Sequence, residues 1–332
     1  MRLRRLCAAV LLAASVSVPA QANAAETPCQ DVYTPVQFGL IRQVMYGKLC
    51  VPQGATTVQV LVPGGTYTGG YWDIPVENGS RSVVRAVNDA GIATMTVDRI
   101  GTGRSTKPLS ILVDVPNQAE AVHQVVQNLR PQFSKVLIGG HSIGSAIAMV
   151  EAGRYHDVDG VLVTGMTHMW DYVRAVPAMT NLIPAAIDPV LGARGLDVGY
   201  LTTRPGTRYN MFHAPGPNNA AVEAWDESTK DVASAGEAVT AILMSNIVLP
   251  ASATIDVPLL TAQSPNDYFC GIPPLAADCS SAAALVNSER PFYGQVPRLE
   301  GLLVNGYGHC FNFSADEARR YHDAVIAWQR SI

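Results

Sequence analysis

From Val36 to Val163 the sequence alternates short, nearly all-apolar runs with stretches whose apolar residues recur at helical spacing, a rhythm that few folds accept. A strand that is apolar at every position must be covered on both faces, and two parallel strands need a crossover connection, usually a helix. Gln43 to Val51, Val58 to Val62, Ile92 to Val97, Lys135 to Gly139 and Val158 to Val163 read as such strands. Between Asn78 and Ala90, Val83, Val84 and Val87 are followed by a stop at Gly91. Val122, Val125, Val126 and Leu129 likewise precede Pro131, giving two crossover helices. The rhythm resumes at Val257 to Thr261 and Leu299 to Val304, and Ser314 with Glu317 forms a capping box for a last helix through Gln329. The predicted class is α/β, a mostly parallel sheet with helices on both faces.

Residues 169–250 break this rhythm with Pro/Gly-interrupted pieces carrying Trp170, Tyr172, Met179, Ile183, Ile187, Met211, Phe212 and Trp225. The stretch is too long for an ordinary connection and reads as an inserted helical lid, which divides the core into residues 25–168 and 251–332.

At the start of the chain Arg2, Arg4 and Arg5, the apolar run Leu6 to Val18 and Ala22-Asn23-Ala24 make the three parts of a secretory signal, with cleavage expected after Ala24. The apolar run is shorter than the roughly 20 residues that span a bilayer, and Cys7 lacks a lipobox, so no stable membrane anchor is expected. A content of 48% hydrophobic and 15% charged residues excludes a disordered chain. The formal charge is −4 and the only basic cluster lies in the leader, which argues against a nucleic-acid partner. In an oxidising compartment Cys29 with Cys50 and Cys270 with Cys279 are the expected disulfides, leaving Cys310, while Cys270 with Cys310 is the other pairing considered. The cysteine spacing lacks the paired C-x-x-C of a zinc site, and no H-E-x-x-H occurs, so neither metal nor cofactor is expected.

Gly140-His141-Ser142-Ile143-Gly144 stands between the strand Lys135 to Gly139 and the helical run Ile143 to Ala152. A sharp strand-to-helix turn forces its central residue into a strained conformation and demands small neighbours two positions away, which Gly140 and Gly144 supply. Ser142 is thereby lifted above the sheet at a helix N-terminus, where the Ile143 amide can stabilise developing negative charge. A serine hydroxyl needs a base, and the base an orienting acid. Asp267 follows the strand Val257 to Thr261 and His309 follows Leu299 to Val304, both at strand ends on the side where open α/β sheets place their sites. After Val58 to Val62 the loop Pro63-Gly64-Gly65-Thr66 exposes backbone amides, and Gly65, with Thr66 in reserve, is the expected second oxyanion donor. Asp98-Arg99-Ile100-Gly101-Thr102-Gly103 lacks the third glycine and helix opening of a dinucleotide loop and reads as a structural turn.

Through the elbow at Ser142, Gly64-Gly65, the run from Asp98 to Ser105, Asp267 and Gly308-His309, the chain resembles the α/β-hydrolase superfamily, in its secreted, lid-bearing serine-hydrolase branch. That resemblance implies an eight-stranded sheet, a Ser-His-Asp triad and an acyl-enzyme intermediate. One departure is Pro63-Gly64 where many relatives carry His-Gly. The expected activity is hydrolysis of small, apolar carboxylic esters. Lactonase, amidase, carbon–carbon bond hydrolase, acyltransferase and a non-catalytic binding protein are the alternatives on the same fold.

Overall fold

The computed structural model describes residues 27–245 and 251–332. The expected signal peptide, residues 1–24 with Cys7 and the cleavage site at Ala24, lies outside them. The chain opens with a hairpin of β1 (Cys29–Phe38) and β2 (Ile41–Cys50), followed by β3 (Thr57–Val62). A short turn α1 (Val76–Gly79) precedes α2 (Val83–Asp89), β4 (Ala93–Val97), α3 (Val115–Leu129), β5 (Lys135–His141), α4 (Ile143–Tyr155) and β6 (Gly160–Thr164). The segment after β6 holds α5 (Tyr172–Thr180), β7 (Leu182–Pro184), β8 (Tyr200–Thr203), α6 (Ala220–Ser228), β9 (Ala233–Ser234) and α7 (Ala235–Ser245). Then come β10 (Leu259–Gln263), α8 (Ala282–Glu289), β11 (Leu299–Leu303) and α9 (Ala318–Arg330).

Eight strands form one sheet in the order β1-β2-β4-β3-β5-β6-β10-β11, antiparallel only at β1/β2 and β2/β4. Successive side chains of the doubly covered strands enter opposite layers: Val60, Val62 and Ile138 pack on one face, Leu61 and Leu137 on the other with Trp72 and Trp328. Each predicted strand is present with ends shifted by one or two residues. The sequence reading missed β1, where only Thr34, Val36 and Phe38 are buried, because a strand covered on one face alternates and this one also carries Pro35. The first predicted helix is shorter than its apolar spacing suggests, since Glu77 and Asn78 adopt left-handed conformations and the helix starts only after Ser82, whose Oγ accepts from the Arg85 amide. Ser314 Oγ does accept from the Glu317 amide, yet a turn intervenes and α9 begins at Ala318.

The segment between β6 and β10 is not purely helical as expected. Besides α5, α6 and α7 it contains a second sheet, the antiparallel β7-β8-β9. Strands of three, four and two residues carry too little periodicity to be read from sequence. Both expected disulfides, Cys29–Cys50 and Cys270–Cys279, are formed, and Cys310 is a buried free thiol.

On α9, burial pushes the His322 imidazole down to about 4. The unfolded chain therefore binds a proton here between about pH 6.5 and 4 that the folded chain refuses, and stability falls as pH drops through that window. The His322→Leu variant is expected to lose less stability than the unaltered protein between pH 7 and 4.5, by on the order of 2 kcal/mol in urea unfolding. Equal slopes for the two proteins would contradict this.

Candidate active site

Ser142 sits between the last residue of β5 and the first of α4 with φ 54° and ψ −124°, a region that side chains rarely adopt. The turn is clamped by close backbone contact. A Cβ on Gly140 would lie 2.1 Å from the Gly144 carbonyl oxygen, and one on Gly144 would lie 2.3 Å from that of Val62. Neither position can hold a side chain without opening the strand-helix junction. His141 points into the protein: its Nδ1 is 3.2 Å from Thr164 Oγ1, and its ring stacks on Tyr71 at 4.5 Å. Thr164 Oγ1 donates its proton to the Gly140 carbonyl, so His141 Nδ1 must be the donor to Thr164. That leaves Nε2 to accept from the Cys310 thiol at 3.5 Å. Burial holds this imidazole well below its usual range and hence neutral.

His309 and Asp267 are brought together from neighbouring strand ends. His309 Nδ1 is 2.8 Å from Asp267 Oδ2, and both residues are buried, at 3% and 1% exposure. Asp267 Oδ1 also accepts from the Phe269 amide at 3.3 Å. An ionised Asp267 accepts Nδ1–H and leaves His309 Nε2 as the basic nitrogen. The ring is wedged by Tyr268 at 4.7 Å and Phe269 at 5.5 Å between centroids, and lies 4.7 Å from the ring of His141, the neighbour of Ser142. Ser264, unremarked in the sequence, ties the two loops by donating its hydroxyl to the Tyr307 carbonyl.

The glycine loop after β3 lies directly on the elbow. A Cβ on Gly64 would be 3.1 Å from Ser142 Cβ, and one on Gly65 would be 2.9 Å from Ile143 Cδ1. Thr66 takes a left-handed conformation, φ 63°, and its backbone carbonyl accepts from the Asp231 amide. Arg99 braces this loop from below. Its guanidinium donates to the Gly64 carbonyl at 3.2 Å and the Val232 carbonyl at 3.1 Å and forms a buried ion pair with Glu237. Asp98 accepts from the Gly69 and Arg104 amides, each at 2.8 Å, so the Asp98 to Gly103 run is used as a turn that props the site.

A buried polar chain links the loop of His309 to that of Gly65. Tyr307 Oη lies 3.0 Å from His213 Nδ1, whose Nε2 is 2.9 Å from Asp226 Oδ2. Arg208 grips Asp226 with two hydrogen bonds of 2.8 Å and donates to Thr66 Oγ1 at 3.0 Å. No local spacing marks these residues, because they meet only once the segment between β6 and β10 folds back over the sheet.

Ser142, Ile143, Gly65 and His309 all line one cavity of about 140 Å³. The segment after β6 supplies much of its apolar wall, including Trp170, Met179, Leu182, Met211 and Phe212. Tyr172 and Ile187, singled out with them in the sequence, are instead largely exposed. A smaller cleft opens beside His309 between Arg174, Asn210 and Asn266. Among the described residues the ligand-type atoms of His141, His309 and Cys310 fall within 4.8 Å of one another, a grouping the sequence reading did not foresee. In it His309 Nδ1 is bonded to Asp267, and His141 Nε2 to the Cys310 thiol.

The profile of the alpha/beta hydrolase family matches residues 59–322, from β3 into α9. Solved structures of low identity share the fold. An esterase from Thermogutta terrifontis is 13% identical over 91% of this chain and 98% of its own, with a TM-score of 0.54. The esterase domain of a Rhodothermus marinus protein is 17% identical over 91% and 98%, with a TM-score of 0.54. A bromoperoxidase from Bacillus anthracis is 14% identical over 90% and 100%, with a TM-score of 0.59. No curated protein sequence matches the chain. The sheet order, the strained serine at the end of β5 and the family profile agree, and the chain belongs to the alpha/beta hydrolase family.

Proposed function

We propose that the protein is a secreted serine hydrolase that cleaves carboxylic esters with an apolar acyl group, with Ser142 as nucleophile, His309 as base and Asp267 as the orienting acid. The observation that carries this reading is the buried His309–Asp267 pair at 2.8 Å opening onto the same cavity as Ser142, whose backbone is held in the strained turn of a nucleophile elbow. His309 Nε2 takes the proton of Ser142 Oγ as that oxygen attacks the ester carbonyl. The amides of Ile143 and Gly65 stabilise the oxyanion, preorganised by the α4 N-terminus and by the brace from Arg99. Collapse of the tetrahedral intermediate breaks the acyl–oxygen bond, and His309 returns the proton to the departing alcohol. Water repeats the sequence on the acyl-enzyme.

Residues 169–250 act as the lid of this site, since Met179, Leu182, Met211, Phe212 and Ile242 all line the cavity that Ser142 opens onto. Their apolar character favours an acyl chain that binds by buried area. Esterase, rather than one of the same-fold alternatives, fits the esterases among the structural neighbours and the intact acid–base–nucleophile set, which a non-catalytic binder would have no reason to keep. Export is supported by the leader-like start of the sequence and by the two disulfides. Among the described residues no helix is long and apolar enough to cross a membrane.

The reading is tested by labelling the purified protein with a fluorophosphonate probe and mapping the adduct by mass spectrometry. Covalent modification of Ser142, abolished by prior heat unfolding, is the expected result. A folded protein that stays unlabelled, or one labelled only elsewhere, overturns the assignment.

A further inference from the structure

The two cavities that meet at His309 differ in chemistry, and their placement around the reacting bond assigns them different halves of the substrate. Ser142, Gly65 and Ile143 line the larger, apolar one, whereas the smaller cleft shares His309 but none of those three. The acyl carbon and its oxyanion must lie beside Ser142, Gly65 and Ile143. The leaving oxygen must lie beside His309, which returns the proton to it. The smaller cleft is therefore on the alcohol side of the scissile bond, an inference that rests on the ester-hydrolase reading above.

That cleft is polar, and among the described residues no acidic side chain lines it. Arg174 is anchored there by two main-chain carbonyls that flank the acid: Nη1 donates to Cys270 at 2.7 Å and Nη2 to Asn266 at 2.7 Å. Asp171 meets the Arg174 backbone amide, at 3.1 Å, and caps α5. Among the described residues the guanidinium has no carboxylate partner, so a full positive charge stands with only two of its five N–H groups engaged. The side-chain amides of Asn210 and Asn266, also in the wall, form no hydrogen bond with the described residues. A fixed guanidinium and two amide NH2 groups suit an anionic group such as a carboxylate, and the guanidinium charge repels a cation.

We propose that the cleft is a subsite for an anionic leaving group, and that Arg174 makes the protein selective for esters whose alcohol portion carries a carboxylate. In the reaction Ser142 Oγ gains the acyl group and the acyl–alkoxy bond breaks. The Ser142 proton passes through His309 to the departing oxygen, and the hydroxy acid leaves with its carboxylate still ionised.

The test compares two esters with one acyl group, the hexanoyl ester of 4-hydroxybenzoate and that of methyl 4-hydroxybenzoate, which differ in the charge of the leaving group. For the unaltered protein the ratio of kcat/KM, charged over neutral, is expected to exceed one and to fall as salt is raised from about 0.05 to 0.5 M, as screening of an accessible charge requires. Arg174→Met is expected to lower the ratio by roughly tenfold, and Arg174→Lys, which keeps a charge but loses the fork, by less. A ratio unmoved by salt and by both substitutions overturns the subsite while leaving ester hydrolysis standing. Failure of the folded, unaltered protein to cleave either ester removes the underlying reading and the subsite with it. Should Arg174→Met lose all activity, the salt dependence of the unaltered protein and the Arg174→Lys ratio decide.

Discussion

Ser142→Ala is expected to lower kcat for ester hydrolysis by roughly four to six orders of magnitude while leaving the melting temperature nearly unchanged. The expectation combines two separate features of the elbow. In the proposed mechanism the hydroxyl is the nucleophile that the His309–Asp267 pair activates, so its loss removes the covalent step and the proton transfer together. The strain at φ 54° is set by Gly140, Gly144 and the Val62 carbonyl, not by the hydroxyl, so alanine occupies the same backbone and the fold is undisturbed. His309→Gln is expected to fall by a similar amount, and the double variant by little more, because members of a triad act as a unit. Esterase activity within tenfold of the unaltered protein in Ser142→Ala, measured on a preparation free of contaminating esterase, would sink the mechanism.

Asp226→Ala is expected to destabilise the protein by about 3–5 kcal/mol, read as a drop in the urea midpoint, because it leaves the buried Arg208 cation without its partner. Burial opposes ionisation of Asp226, yet the charge of Arg208 and the hydrogen bonds from His213 and Arg208 outweigh it and hold the carboxyl well below the usual carboxylate range. A carboxyl whose pKa is lower folded than unfolded contributes stability that is fully present above about pH 4 and is lost as pH falls through the folded value. The penalty of the substitution should therefore shrink in acid. Since Arg208 also holds Thr66, next to Gly65, activity should fall further than stability alone explains when assayed well below the unfolding temperature. A variant with unchanged midpoint and unchanged kcat would show that this chain of contacts is dispensable.

What could be read in the sequence follows from how local each constraint is. The elbow was legible because its rule is written in five consecutive residues: Gly140 and Gly144 are required by contacts that any strand-to-helix turn of that sharpness makes. Asp267 and His309 were legible because apolar strands announce their own ends, and the proposed acid and base stand just beyond two of those ends. The lower half of the site was not. Arg208, His213, Asp226 and Ser264 carry no spacing that distinguishes them from turn or surface residues, and their partners lie up to 142 positions away, as for Arg208 and Thr66. The small sheet β7-β8-β9 escaped for a different reason, since strands this short are held by their surroundings rather than by their own apolar alternation. Likewise β1 was hidden by covering only one face.

That hairpin has a further consequence. Its two strands are joined by the Gly39-Leu40 turn at one end and by Cys29–Cys50 at the other, with every residue between them in register. The first pair of strands is thus a covalent ring. It cannot slip by a residue, fray from its open end, or peel outward to offer β1 as a template to another molecule, which an uncapped outermost strand invites. The ring thereby guards one outer edge of the eight-stranded sheet.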